Sequence, residues 1–149
     1  MELRFNIQDI RLIESHFKIN PDYQFTQKPV PISSSLDLKY EKKNKSVQVE
    51  ISINSDNKNQ PFIFNIVLVG LFNFEALPSE KELERIAHIN CAAILFPYAR
   101  ETVADVTRRA GVPVFHMEPI NFVHFYSLKE KIEAGKEKGK KKKTKQLKK

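Results

Sequence analysis

The sequence predicts an α+β fold in which four strands form an antiparallel sheet and helices follow. Apolar and polar residues alternate through the first half of the chain, and apolar residues recur at spacings of three and four in the second half. These two periods are typical of half-buried strands and of amphipathic helices. Strands followed by helices indicate the α+β class. With 149 residues, we expect one domain over 1–134 and a tail over 135–149.

The first strand is predicted to be long and kinked. Leu3, Phe5 and Ile7 alternate with polar residues, and Ile10 and Leu12 then take the opposite phase. A β-bulge near residues 8–9 adds one residue to the strand and explains the change of phase.

A long crossover loop is predicted between about residues 19 and 34. Pro29 and Pro31 have no amide to give to a strand ladder. Loops of this length inside a compact domain are uncommon and usually functional. The loop carries four apolar side chains: Tyr23, Phe25, Val30 and Ile32.

Three further strands are predicted at 36–40, 47–54 and 62–72, joined by turns at 42–46 and 56–59. The last of them is apolar on both faces. Helices on one side of the sheet cover only one of these faces. We therefore expect the other face to meet another subunit or a bound chain.

The first helix is predicted to begin at Ser79, because Ser79 and Glu82 form a capping box. Pro97 is expected to kink or break this helix, since it has no amide for the preceding turn. Helical spacing resumes after Pro97 and ends at Gly111.

A second apolar loop, over 112–119, carries Val114, Phe115 and Met117. Asn121 is the predicted N-cap of a last helix. The apolar positions of that helix are Phe122, Phe125, Tyr126 and Ile132.

The basic character of the chain comes from its end. Residues 129–149 hold 11 Lys against three Glu, a net charge of +8, while residues 1–128 carry a net charge of −1. With almost nothing apolar to bury, residues 135–149 are predicted to be disordered. By counterion release they would bind nucleic acid weakly and without specificity, as no aromatic side chain is interleaved for base stacking.

No pattern in the sequence indicates chemistry. Cys91 is the single cysteine, which indicates a reducing, cytoplasmic location. The four His lack metal-ligand spacing, the four Gly form no phosphate loop, and neither a signal peptide nor a membrane span is predicted. Arg100 and Glu101 are expected to bond locally beside Pro97. We therefore expect no catalytic residue, no metal and no cofactor; a hydrolase using Cys91 or a histidine is a remaining alternative.

One stretch of sequence resembles a known family. Residues 91–101 read CAAILFPYARE, followed by Val112-Pro113 and by residues 119–122, PINF. This pattern is similar to the SecB family of export chaperones, over about residues 3–126. The resemblance implies a sheet with two helices on one face, a homotetramer built as a dimer of dimers, and ATP-independent holding of unfolded preproteins for the motor SecA.

The resemblance also implies an apolar peptide groove, formed by the two loops and the last helix. Its residues would be Tyr23, Phe25, Val30, Ile32, Val114, Phe115, Met117, Phe122, Phe125 and Tyr126. Val30 stands near the position of the family's tryptophan.

Two features differ from the family. Of the acidic sheet surface that docks SecA, Glu14 matches, whereas Lys18 and Asn65 stand where acidic residues are expected. The C-terminal tail is basic where the family commonly has an acidic one. These differences favour, as alternatives, a SecB-like chaperone dedicated to the antitoxin of a toxin–antitoxin pair, or a nucleic-acid or ribosome-associated protein recruited by the tail.

Overall fold

A computed structural model describes residues 4–25, 30–55 and 59–147. The sheet is antiparallel, with strand order β1-β4-β3-β2. Its strands are β1 (Phe5–Ile19), β2 (Ser34–Lys43), β3 (Ser46–Ser55) and β4 (Phe62–Phe74). The helices are α1 (Glu80–Ile86), α2 (Ala92–Arg109) and α3 (Phe122–Leu147), with a π-helical turn, Ala87–Cys91, joining α1 to α2. The predicted α+β fold is confirmed.

Strand β1 contains two bulges. Its pairing with β4 shifts register between Ile7 and Asp9, as predicted, and again between Leu12 and Glu14, which was not predicted. Residues directly opposite each other in a sheet share a face. Each bulge therefore returns the apolar residues of β1 to the side of the sheet on which the buried residues of β4 lie.

The core lies between β3, β4 and α2. Side chains of β3 and β4 alternate strictly between buried and half-buried positions, because successive residues of a strand point to opposite faces. Leu95, Ala99 and Val103 of α2 are also buried. On the outer face of β4, Ile63, Val67 and Val69 are half-buried. The coverage of this outer face by another subunit or a bound chain stays a prediction.

The turn between β2 and β3 has two residues, Asn44 and Lys45. Asn44 has a φ of 60°, a left-handed conformation that asparagine tolerates better than most residues. The turn predicted at 56–59 falls largely on residues 56–58, which lie outside the described part of the chain.

Pro97 lies inside α2 without breaking it, so the alternative of a broken helix was wrong. The carbonyl that Pro97 leaves without its helical donor belongs to Ala93, which is exposed and can bond to water. Ser79 caps the start of α1, its hydroxyl accepting from the Glu82 amide at 3.4 Å. Past the C-cap Ala110, Gly111 has a φ of +74°, and α2 ends as predicted.

The chain divides into two compact units, Met1–Glu118 and Pro119–Lys149. The division into a domain over 1–134 and a tail over 135–149 stays a prediction. Asn121 caps α3, accepting at Oδ1 from the His124 amide at 3.2 Å. The helix continues to Leu147. The structure thus describes a helical backbone over 135–147, while the disorder expected of residues 135–149 stays a prediction. Burial was the criterion for that prediction, but Lys, Glu, Gln and Ala have high intrinsic helix propensity.

Candidate functional site

The crossover loop is tied at both of its ends to one buried residue, Gln60, through its backbone carbonyl at one end and its side chain at the other. The Asn20 side-chain amide donates to the Gln60 carbonyl oxygen at 3.1 Å, where the loop leaves β1. The Gln60 side-chain amide donates to the carbonyl oxygen of Ser33 at 3.1 Å, where the loop returns to β2. Because Gln60 lies two residues before the start of β4, both ends of the loop are held at that end of the sheet.

The second apolar loop is held against α2 by two hydrogen bonds. The Phe115 amide donates to Thr107 Oγ1 at 3.0 Å. Thr107 is fully buried, and its hydroxyl lies within bonding distance of carbonyl oxygens one turn back along α2. Arg100 Nε donates to the Met117 carbonyl oxygen at 2.7 Å. Arg100 therefore has a structural role as expected, but it bonds to loop backbone 17 residues away and not locally beside Pro97.

Phe115 packs onto the beginning of β4. Its ring centroid lies 5.8 Å from that of Phe62 and 6.5 Å from that of Phe64. Phe17 of β1 extends this group, 5.5 Å from Phe62. We call Phe17, Phe62, Phe64 and Phe115 the aromatic cluster. The cluster and Gln60 bring both apolar loops to the same end of the sheet.

The two loops differ from the core in what they leave exposed. Phe25 is 54% exposed and Val114 is 41% exposed. Tyr23 is half-buried and contacts Phe25 edge to face at 5.3 Å. Val30, Ile32 and Phe115 are half-buried as well, whereas Met117 is buried. Each loop thus leaves one large apolar side chain exposed, and the second loop also contributes Phe115 to the aromatic cluster.

The remaining candidates lie in the unit formed by residues 119–149. Phe122 and Tyr126 are buried, and Phe125 is 38% exposed. The rings of Phe122 and Phe125 meet edge to face with centroids 6.3 Å apart. Of the three, Phe125 has the most accessible ring.

Four residues of this region were not among the candidates predicted from the sequence. Phe62 and Phe64 were assigned to the fourth strand, and Phe17 and Gln60 to no element. Strand register could have indicated the rings, because Phe17 pairs with Phe64 and Ile19 with Phe62. Nothing in the sequence indicates that a glutamine beside a proline ties together the ends of a distant loop.

Glu14 lies away from this region, on the opposite face of the sheet. It pairs with Val67, and Asn65 Nδ2 donates to Glu14 Oε1 at 2.8 Å. Glu14 and Asn65 are therefore a hydrogen-bonded pair on the outer face.

Cys91 is 1% exposed, and burial raises the pKa of its thiol to about 12. A thiol with this pKa stays protonated at neutral pH, whereas the thiolate is the nucleophile. In the described part of the chain, no group of three or more His, Cys, Asp or Glu residues could hold a metal ion. Among the same residues, no helix is long and apolar enough to cross a membrane.

We expect Cys91 to be unreactive while the protein is folded. At pH 8 a thiol-specific disulfide reagent should label it at least about a hundredfold more slowly than the same chain in denaturant, because labelling needs the thiolate. Absorbance of the released thiol measures the rate. Equal rates with and without denaturant would contradict the burial of this side chain.

Comparison with known proteins identifies the family of this chain. The family model described as preprotein translocase subunit SecB matches residues 5–133. A protein-export protein SecB of Neisseria meningitidis is 35% identical over 91 residues, which are 61% of this chain and 61% of that protein. One from Methylobacillus flagellatus is 36% identical over 73 residues, which are 49% of this chain and 46% of that protein. The chain thus spans about three fifths or less of the length of these relatives.

The fold is also similar to a solved structure. A Mycobacterium tuberculosis SecB-like chaperone, in complex with a ChAD peptide from the HigA1 antitoxin, matches with a TM-score of 0.64. The match covers 78% of this chain and 91% of that one at 24% identity. The matched family model extends from β1 into α3. The chain therefore belongs to the SecB family.

Proposed function

We propose that this protein is an ATP-independent holding chaperone that binds unfolded polypeptides, preproteins among them, and keeps them competent for export. Binding involves no catalysis and no cofactor. The exposed apolar side chains of two anchored loops carry this proposal, supported by membership of the SecB family. The lone, buried Cys91 suits the cytoplasm, which we propose as the location.

Client binding is best explained by Phe25 and Val114, the most exposed candidates of the two loops. When an apolar client side chain covers one of them, both side chains are removed from water at the contact. Full burial of one large side chain contributes about 1.5 to 3 kcal/mol. Gln60, Thr107 and Arg100 hold the loops, which lowers the entropy that binding must overcome.

Assembly would make such weak sites effective together. We propose a homotetramer, a dimer of dimers, in which several sites on one particle hold one client through high effective concentration. The half-buried apolar residues on the outer face of β4 offer a surface for a second copy or another partner. Glu14, on that same face, is our candidate for docking SecA.

Replacing Phe25 and Val114 together with serine is expected to weaken client binding. Losing about 1.4 kcal/mol of binding free energy at each contact corresponds to a tenfold loss of client affinity per residue. At a concentration where the native protein suppresses aggregation of a chemically denatured client, the double variant should suppress little of it. Light scattering after dilution from denaturant measures the effect.

Ile132→Ser is the matched control, because Ile132 is 59% exposed and stands outside the candidate set. The control should hold clients as the native protein does. The proposal fails if the native protein neither delays refolding nor suppresses aggregation. If it holds clients and the double variant holds them equally well, the assignment of Phe25 and Val114 fails.

A narrower function is also supported. The SecB-like chaperone of similar fold was solved with a peptide of an antitoxin. We propose as a second candidate that this chain serves an antitoxin of a toxin–antitoxin pair. Neighbouring genes would encode such a pair, and co-expression should then raise the antitoxin's half-life. A genomic context without a toxin–antitoxin pair would contradict this candidate.

A further inference from the structure

The C-terminal part of α3 has too few apolar residues to pack in a hydrophobic core. Among residues 138–147 there are six Lys and no acidic residue, and we call these residues the basic segment. The described backbone is helical through Leu147, and the side chains of residues 130–140 are exposed. Between Ile132 and Leu147 the only apolar side chain is that of Ala134. By composition, this part of the helix is therefore rich in charged residues and almost free of apolar ones.

We propose that the basic segment binds the phosphate backbone of RNA and attaches the chaperone to ribosomal RNA. Residues 138–147 contain six Lys. At about 1.5 Å of rise per residue, they place one positive charge about every 2.5 Å of helix. A nucleic-acid duplex carries one negative charge about every 1.7 Å, and a single strand about every 3.4 Å. The spacing of the lysine charges along the helix therefore lies between the phosphate spacings of a duplex and of a single strand.

Other anionic partners match less well. An amphipathic helix binds an anionic membrane through an apolar face as well as charge, and the basic segment has no such face. An acidic polypeptide reaches this charge density only if more than about half of its helical residues are acidic. Nucleic acid has the required density at every nucleotide.

The absence of Arg and aromatic residues from the basic segment determines the mode of binding. Lys contacts phosphate as a point charge, whereas the bidentate fork of Arg and base stacking are lacking. Binding is thus independent of sequence and strongly dependent on salt. We choose ribosomal RNA as the source of the phosphate backbone because unfolded chains emerge from the ribosome beside it. This choice rests on the proposed chaperone function.

Two six-residue variants of the full chain test the proposal, using a 20-nucleotide single-stranded RNA as probe. One has glutamine, which keeps helix propensity and removes charge, and the other has arginine, which keeps charge. Both change Lys138, Lys140, Lys141, Lys142, Lys143 and Lys145. Fluorescence anisotropy across a salt series measures affinity and its salt dependence.

The native protein should lose about a hundredfold or more in RNA affinity between about 50 and 200 mM salt. The glutamine variant should reduce the slope of log K against log salt by about 4, since each lost phosphate contact on a single strand removes about 0.7. The arginine variant should bind as the native protein does. In centrifugation at low salt, the native protein should sediment with purified bacterial ribosomes and the glutamine variant should not.

Three results would overturn the proposal. They are RNA affinity unchanged in the glutamine variant, tighter binding to polyglutamate than to RNA of equal charge, and failure of the native protein to sediment with ribosomes. Aggregation suppression should be unchanged in the glutamine variant. Loss of RNA binding with intact holding therefore separates this proposal from the proposed chaperone function.

Discussion

Replacing Phe72 with alanine is expected to lower the free energy of unfolding by about 3 to 5 kcal/mol. Phe72 is fully buried in β4, pairs with Ile7 and Val47 across the sheet, and meets the ring of Phe5 edge to face at 6.0 Å. Alanine leaves a cavity where strand and helix layers meet. Since domains are stable by about 5 to 15 kcal/mol, this one change removes a large part of the total.

Urea unfolding followed by circular dichroism measures the loss as a lower midpoint. Phe25→Ala is the matched control, because it removes the same ring from a side chain that is 54% exposed. We expect a change of at most about 0.5 kcal/mol for the control. The pair separates packing from function, since the control should bind clients about tenfold more weakly and keep its midpoint. Equal midpoints for the two variants would contradict the position of Phe72 in the core.

Replacing Gly70 with alanine is expected to lower the free energy of unfolding by about 1 to 3 kcal/mol, although it adds only one methyl group. A Cβ at Gly70 would lie 2.6 Å from Phe72 Cε2 and 2.9 Å from Leu95 Cδ2. Both neighbours are fully buried. The added atom therefore forces the ring or helix α2 to move.

Thermal and urea unfolding of the Gly70→Ala protein measure this cost. Gly139→Ala is the control, because nothing lies within 4 Å of the added Cβ. We expect the control to strengthen α3 locally by up to about 1 kcal/mol, as alanine is the better helix former. A Gly70→Ala protein as stable as the native one would mean that α2 does not pack closely on β4.

Strands β3 and β4 were predictable because their pattern is local. Val47, Val49, Ile51 and Ile53 alternate with polar residues, and period two specifies both a strand and its buried face. The start and end of the helical region were predictable for the same reason. Ser79 and Gly111 act on backbone groups within four residues of themselves.

Pro97 was predicted less well, and the disorder expected at the end of α3 stays a prediction. The cost of a proline inside a helix depends on whether the carbonyl it leaves unbonded can reach water, and the exposure of Ala93 is a tertiary property. For residues 135–147, lack of burial was taken to mean disorder. Intrinsic helix propensity acts without burial, and the structure follows it.

The candidate site was identified from its apolar residues, but its geometry was not. The sequence by itself determined the fold class, the strands, the two apolar loops and the family, since each depends on spacing or on a contiguous stretch such as residues 94–101. Only the tertiary structure decided that Gln60 holds both ends of the crossover loop and that Phe115 joins Phe17 and Phe62. The hydrogen bonds and ring contacts that do so join residues 27 to 53 positions apart, and no local period encodes which distant strand ends will meet.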